Sequence, residues 1–470
     1  MSSSRNRLDD PRDDSKNRLY DIVATVDIGD YDHAVEVLSH AAWTRLEAAF
    51  WNASHPMVSL ERAAFAEYLL TAQLLWQKSG LGSIRPITVY RSTLADSAAL
   101  AAALRILGKI YAGCNLAYSN PPAGFWRSVY SITGYVLARQ RDEHNEFAEL
   151  RDMCLQLWLM AWLNPLSLAA GRLSVAVRLV GHLSKTCNYS LSPPTHAGTG
   201  LAAADLMDDH SPMPFARLPN PWRPQLPVYV NAQDAAFVVE EIRAGSLSRS
   251  RRGGIYDGLL ATGQAAGLTT HEVNDFVRRA VREFGQNVVR EIPRIATQGA
   301  LHCVVGLIDT WTAMQEHLPN SSNRVASKHF SSIPATILNQ SEGGFLLRFA
   351  IQQSVLRAAS LIALRGTGNE PWSLGVVRWL QDDGNEVLIG CEVLSNFAES
   401  RLIRLQSGDQ QCPAMVFSAE GADHIFLPLG TAESNVVCQV VFDRSIWVLS
   451  AAIELGDDWE LRAVLDTLAA

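Results

Sequence analysis

The sequence lacks the cysteine patterns that mark disulfide-rich proteins and zinc sites. Its seven cysteines are scattered, odd in number and never arranged as a Cys-x-x-Cys pair. Disulfide frameworks and structural zinc sites need their cysteines clustered in the sequence. We therefore expect buried free thiols in a reducing compartment, and no metal site.

Also absent is an apolar run long enough to cross a membrane. The most apolar segment, Met153–Ala169, is interrupted by Asn164-Pro165 after about eleven residues, whereas a spanning helix needs roughly twenty. Residues 1–17 are polar and charged, without the apolar stretch of a secretory signal. We predict a cytoplasmic protein with no membrane insertion.

The sequence also lacks a net positive charge and the common catalytic motifs. The formal net charge of −8 disfavours a nucleic-acid partner, because nucleic acids bind basic surfaces. The sequence contains no Gly-x-Ser-x-Gly, His-Glu-x-x-His or Gly-x-x-x-x-Gly-Lys-Ser/Thr motif. No nucleophile, base and orienting residue can be proposed together, so we predict a non-enzymatic protein.

What the sequence does contain begins with a long helical region. Its 470 residues are enough for two or three domains. Residues 1–17 are predicted to be a disordered tail, and residues 18–191 an α-helical domain, either a bundle or a short solenoid. Apolar residues at three- and four-residue spacings predict six helices, at His33–Asn52, Ser59–Gln77, Thr93–Tyr118, Gly124–Arg141, Glu146–Leu163 and Gly171–Lys185. We expect this domain to bind a protein partner, and most of its tryptophans to lie in its core.

Two segments of different character follow. Residues 192–227 are rich in proline, which predicts a linker or a loop laid over a surface. Residues 228–330 are predicted to form a small α/β unit with a helix at Thr269–Phe284, capped by Thr269 or Thr270. Within this unit, Arg249–Arg252 is interpreted as a flexible basic loop.

The last segment, residues 331–470, is predicted to be mainly antiparallel β-structure. Five short apolar runs separated by polar or glycine-containing turns indicate a meandering sheet or small barrel. These runs are Thr336–Leu338, Gly344–Phe349, Ser360–Arg365, Trp372–Leu380 and Glu386–Leu394. More strands follow, and Trp459–Leu468 is predicted to be a terminal helical patch. The expected fold class is a multidomain α+β protein.

A polar turn separates the first two of these runs. Its sequence, Asn339-Gln340-Ser341-Glu342-Gly343-Gly344, is that of a hairpin turn on residue chemistry alone. Asn339, Ser341 and Gly344 also match the Asn/Asp-x-Ser-x-x-Gly motif, and the turn resembles that of the PilZ family. The later strands LIALR, WSLGVVRWLQ and VLIGCEVLS, and a final LPLG turn, are similar to a divergent proteobacterial branch of this family.

The resemblance implies a PilZ-like antiparallel β-barrel and a ligand, because many PilZ domains bind cyclic di-GMP. In those domains an Arg-x-x-x-Arg loop ahead of the first strand grips the phosphates. Here Arg324 and Lys328 fill the two positions, with lysine in place of the second arginine.

The resemblance further implies that Asn339 and Ser341 hydrogen-bond a guanine, and that Gly344 lets the base approach the backbone. The protein would then be a cyclic di-GMP sensor that controls motility, adhesion, secretion or biofilm formation through protein partners. The alternative is a ligand-free PilZ-like adaptor or scaffold that acts only by protein–protein interaction.

Overall fold

The structure, a computed structural model, describes most of the chain between Ser97 and Leu468. The described residues are 97–116, 118–139, 145–168, 171–192, 200–219, 221–244, 249–285, 295–317, 330–341, 343–350, 356–368, 370–382, 386–405, 411–419, 421–430, 436–441, 445–450, 452–456 and 458–468. They form two compact units divided near residue 290, except that two short segments, 118–120 and 166–170, group with the second unit. The predicted tail at 1–17 and the predicted helices at 33–52 and 59–77 lie outside the described residues.

Four helices in the first unit agree with the apolar spacing of the sequence. They are α1 (Ser97–Leu116), α2 (Phe125–Ala138), α3 (Asn145–Trp162) and α4 (Arg172–Leu183). Helix α1 ends ahead of Pro121-Pro122, since proline rings cannot continue a helix. Trp126, Trp158 and Trp162 are buried in this unit, which confirms the core interpretation for these three tryptophans.

A small antiparallel sheet follows the four helices. Its strands are β1 (Asn188–Ser190), β2 (Leu201–Asp205), β3 (Met213–Pro214) and β4 (Pro227–Asn231), in the order β1-β4-β2-β3. The prediction that residues 192–227 form only a linker or surface loop was wrong for β2, which is a buried inner strand of this sheet. The stretch between Pro194 and Pro212 has no proline, so its backbone N–H groups can pair with neighbouring strands.

Three more helices follow among the described residues of the first unit. They are α5 (Gln233–Ala244), α6 (Arg249–Ala265) and α7 (Thr270–Gly285). Helix α7 confirms its prediction, with a capping box in which the Thr269 N–H donates to Glu272 Oε2 at 2.7 Å and the Glu272 N–H donates to Thr269 Oγ1 at 3.3 Å. The predicted basic loop at Arg249–Arg252 is instead the start of α6, in line with the high helix propensity of arginine.

The second unit opens with a closed six-stranded barrel, the first barrel. Its strands are β5 (Ile295–Val305), β6 (Ile333–Ser341), β7 (Gly344–Phe349), β8 (Leu361–Gly366), β9 (Ser373–Asp382) and β10 (Val387–Ser395). They close in the order β10-β7-β6-β5-β8-β9. All five predicted strands are confirmed. The sixth strand, β5, precedes the predicted boundary at residue 331, because it pairs with β6 on one side and β8 on the other.

A second barrel occupies the end of the chain. Its strands are β11 (Glu399–Leu405), β12 (Gln411–Ala419), β13 (Ala422–Pro428), β14 (Val436–Val440), β15 (Ile446–Leu449), β16 (Glu454–Leu455) and β17 (Trp459–Leu468). They run in the order β13-β12-β11-β14-β15-β17-β16, and a β13–β17 pairing closes the ring. The predicted helical patch at Trp459–Leu468 was wrong. Its apolar spacing fits a helix, but pairing with β13 and β15 on its two sides outweighs that local preference.

One short helix, α8 (Leu307–Met314), joins the two barrels through a shared core. Its Leu307, Trp311 and Met314 pack in one cluster with apolar residues of both barrels. The indole N–H of Trp311 donates to the Arg401 carbonyl of the second barrel at 2.8 Å. The reverse link, from Trp459 Nε1 to the Ala359 carbonyl ahead of β8, is also 2.8 Å. The two barrels therefore share buried contacts and are not independent domains joined only by a linker.

Candidate functional site

The β6–β7 hairpin carries the three motif residues that the structure describes. Ile337 pairs with Leu347, but the next partners are Asn339 and Leu346, so Leu338 is an extra residue in β6. Such a bulge reverses which side of the strand the following residues face. Leu347 lies in the barrel core, so Leu346 and its partner Asn339 face outward. Without the bulge, strict alternation from Ile337 would turn Asn339 into the barrel.

The Asn339 side chain has an unsatisfied acceptor. Its Oδ1 is buried, and it has no hydrogen-bond partner among the residues that the structure describes. A buried amide oxygen without a donor costs about 1–3 kcal/mol, so the site favours a group that brings an N–H or O–H to it. Ser341 lies two residues further on the same face. Its hydroxyl donates only weakly, to the Gly344 carbonyl at 3.4 Å, and is therefore able to exchange this contact for a better one.

Gly344 has a structural role that the sequence did not reveal. A Cβ on this residue would lie 2.1 Å from the carbonyl oxygen of Cys391 in β10. That atom is backbone paired into the barrel, so it cannot move aside cheaply. Glycine at this position is thus required for β7 and β10 to pair, whether or not a ligand also approaches it.

Arg324 and Lys328 lie outside the described residues, but both ends of their segment are visible. Before it, Glu316 Oε2 accepts from Arg365 Nη1 at 2.9 Å and from Trp372 Nε1 at 3.2 Å. After it, the Phe330 ring packs edge-on against Trp372, with the ring centroids 5.9 Å apart. Glu316 and Phe330, which lie on either side of residues 318–329 in the sequence, therefore both contact the buried Trp372.

The first barrel and the helical region each match a known family model. Residues 309–399 match the middle PilZ domain of the cyclic-di-GMP receptor FimW, and residues 33–195 match the N-terminal domain of the same receptor. Together the two matches cover more than half of the chain. The chain is thus similar to this receptor in both regions, and residues 309–399 form a PilZ-like domain. No curated protein matches the sequence significantly.

The FimW match confirms the PilZ resemblance and places it on the first barrel. The matched segment begins inside α8 and ends where the second barrel starts. It leaves out β5, although the structure shows that this strand closes the PilZ barrel between β6 and β8. The second barrel lies beyond both matches.

The charges on the outer face of the PilZ barrel include one arginine that the sequence reasoning missed. Arg348 lies in β7, two residues from Leu346 on the same face, with 43% of its side chain exposed. Its nearest acid, Glu386, is 3.8 Å away, which leaves its guanidinium largely accessible to a phosphate. Its position in the strand that directly follows the binding motif, two residues from Leu346, was the available signal.

A second arginine on this barrel is occupied by carboxylates. Arg378 Nε lies 2.6 Å from Glu392 Oε2, and Arg378 also pairs with Glu454 of the second barrel. Burial alone would lower the pKa of Arg378, but the charges of Glu454 and Glu392 raise it above its usual value. Arg378 therefore links the two barrels and is not available to an anion.

No group of three or more His, Cys, Asp or Glu side chains that could hold a metal ion occurs in the part of the chain that the structure describes. Within those same residues, no helix is both long and apolar enough to span a bilayer. All seven cysteines are free thiols, and six of them are buried. The expectation of buried free thiols is thus confirmed for all but the half-buried Cys412.

Proposed function

We propose that this protein is a non-enzymatic cytoplasmic receptor for cyclic di-GMP, which binds on the outer face of the PilZ barrel at the β6–β7 hairpin. The observation that carries the proposal is the outward-facing Asn339, whose buried Oδ1 has no donor among the described residues. The description of the matched family as a cyclic-di-GMP receptor supports it. A guanine edge presents N–H donors, which are what this oxygen lacks.

The ligand carries two phosphates, and their charge must be met by nearby cations. In this account Arg324 and Lys328 supply positive charge, Ser341 donates to the guanine, and Gly344 leaves room for the base at the turn. Lysine keeps the charge of the second motif position but loses the planar, two-pronged contact of a guanidinium. Arg324 therefore carries more of the phosphate binding than Lys328.

Ligand binding would act through the contacts that Arg324 and Lys328, ahead of the hairpin, make with the phosphates. The signal then passes to a protein partner through the helical domain. Motility, adhesion, secretion and biofilm control are the processes in which such a receptor would act.

Titration calorimetry with cyclic di-GMP and the full chain tests this proposal. We expect micromolar or tighter binding to the wild type, at least about tenfold weaker binding to Arg324→Ala, and a smaller loss for Lys328→Ala, since a charge-assisted hydrogen bond contributes roughly 1.5–3 kcal/mol. Arg404→Ala is the matched control, because Arg404 is an exposed arginine on the second barrel. Binding that is equally strong in Arg324→Ala and Arg404→Ala would contradict the proposed site.

The second candidate function is a ligand-free adaptor, and the Gly344 contact favours it. Because Gly344 is required for the barrel itself, its presence in the motif does not demand a ligand. Under this alternative, calorimetry gives no heat with cyclic di-GMP at high micromolar concentration. Asn339→Ala and Ser341→Ala then leave every cellular phenotype intact, while substitutions on the surface of the helical domain abolish partner capture.

A further inference from the structure

A row of four residues crosses the outer face of the PilZ barrel from the hairpin to β9. Leu346 of β7 pairs with Asn339 of β6 on one side and with Gly390 of β10 on the other. Gly390 in turn pairs with Trp379 of β9. Residues directly opposite on neighbouring strands point to the same side of a sheet. Asn339, Leu346, Gly390 and Trp379 therefore share the outward face.

Because Gly390 has no side chain, it leaves space for the Trp379 indole. A Cβ on Gly390 would lie 2.0 Å from Trp379 Nε1, 2.5 Å from Cε2 and 2.7 Å from Cδ1. The indole ring therefore lies over Gly390 and occupies the position where a Cβ atom would be in any other residue. This position directs the indole toward the row that ends at Asn339, rather than away from it.

The Trp379 indole is also available for a contact. The residue is only half-buried, and it is not part of the apolar clusters that form the barrel core and the interface with α8. Trp372, which directly precedes β9, is instead buried and donates a hydrogen bond to Glu316. The surroundings of Trp372 and Trp379 therefore differ.

The spacing suits a nucleotide. Asn339 in β6 and Gly390 in β10 are separated by one intervening strand, β7, so they lie about 10 Å apart at roughly 4.8 Å between neighbouring strands. The Trp379 indole covers Gly390. One guanosine unit of a cyclic dinucleotide that hydrogen-bonds at Asn339 can place a second flat group over that plane. Aromatic side chains bind nucleobases in this way because every base has a π-face.

We infer that Trp379 is a stacking platform for a guanine of the bound cyclic di-GMP, held in place by the absence of a side chain at Gly390. The inference rests on the proposed function and adds a residue outside both sequence motifs. It predicts that affinity depends on an aromatic ring at position 379 and on glycine at position 390.

Calorimetric titration of the full chain with cyclic di-GMP tests the platform. Trp379→Leu should bind about 5- to 150-fold more weakly than the wild type, the range set by base–aromatic stacking. Trp379→Phe keeps a ring and should recover most of the affinity. Gly390→Ala should also weaken binding, because the added methyl group displaces the indole. Thermal unfolding of each variant confirms that the barrel is folded.

Tryptophan fluorescence gives a second readout. The chain has 12 tryptophans, so the informative quantity is the difference between the wild type and Trp379→Phe. Guanine stacking should quench the wild type, and the quenching should be reduced in Trp379→Phe.

The outcomes separate the two proposals. Equal affinity of the wild type and a folded Trp379→Leu variant overturns the platform while the proposed receptor function stands. Equal losses in Trp379→Leu and Trp379→Phe also overturn it, because they would point to the indole N–H rather than to stacking. A wild type that gives no heat with cyclic di-GMP overturns both.

Discussion

At the β6–β7 hairpin, two adjacent glycines have different surroundings. Gly343 is exposed, and a Cβ added to it would meet no atom within 4 Å. Gly344 is buried, and its Cβ would lie 2.1 Å from the Cys391 carbonyl oxygen. One of the two glycines is thus a requirement of the barrel wall, and the other is a feature of the turn.

Gly344→Ala should therefore destabilise the barrel by about 2 kcal/mol or more, because the clash is with backbone rather than with a flexible side chain. Gly343→Ala is the matched control and should change the free energy of unfolding by less than about 0.5 kcal/mol. Chemical denaturation of the two variants measures both quantities. Equal stabilities would mean that β7 and β10 are not packed as described.

The candidate site shows which residues a sequence can reveal. Asn339, Ser341 and Gly344 were found because their spacing matches a known motif. The bulge at Leu338 and the space that Gly390 leaves for Trp379 could not be found in this way. Both depend on which residue of a neighbouring strand lies opposite. A single sequence gives the residues along a strand but not their partners across it.

At the scale of elements, helix α8 links the two barrels through its N-terminus as well as its apolar face. The Leu307 N–H donates to Asp458 Oδ2 of the second barrel at 2.8 Å. This carboxylate takes the place of the side-chain cap that the preceding Gly306 cannot supply. A helix of the PilZ region is thus capped by a residue about 150 positions later in the chain.

Asp458→Ala should lower the free energy of unfolding by about 0.5–2 kcal/mol, the usual cost of losing an N-cap. Asp466→Ala serves as the control, because Asp466 is exposed on β17, where its carboxylate accepts from the neighbouring Thr467 N–H. Denaturant unfolding followed by tryptophan fluorescence compares the variants. Indistinguishable midpoints would argue that Asp458 does not cap the helix in solution.

The elements also show where sequence patterns were insufficient. The five strands between Thr336 and Leu394 were recognised from their turns, and the helices α1–α4 and α7 from their apolar spacing. Trp459–Leu468 was mistaken for a helix, because its apolar residues recur at helical intervals while the strands beside it decide its conformation. β5 was assigned to another unit, because nothing in its own residues shows that it completes a barrel.

At the scale of the whole molecule, the buried thiols should make the free energy of unfolding decrease at alkaline pH. Burial raises the pKa of Cys154, Cys187 and Cys438 to about 12 and that of Cys412 to about 11, with a further contribution at Cys412 from Glu460. An unfolded thiol has a pKa of about 8.5. Above that pH the unfolded chain loses these protons first, while the folded chain keeps them.

The free energy of unfolding should therefore be unaffected by these thiols below about pH 8.5 and should fall as the pH rises from there toward 11–12. Denaturant midpoints measured from about pH 8 to about pH 11 check this slope. Alkylation with iodoacetamide near pH 8 should be slow in the native protein and rapid after denaturation. Fast alkylation of the native chain, or a flat pH profile, would contradict the burial of these thiols.

Hydrogen–deuterium exchange with and without cyclic di-GMP tests the ligand site most directly, because it locates binding along the chain. We expect slower exchange in the presence of ligand at residues 318–341 and in β9 and β10, with the second barrel unchanged. Unaltered exchange throughout, or protection confined to the second barrel or to the helical unit, would contradict a cyclic di-GMP site on the outer face of the PilZ barrel.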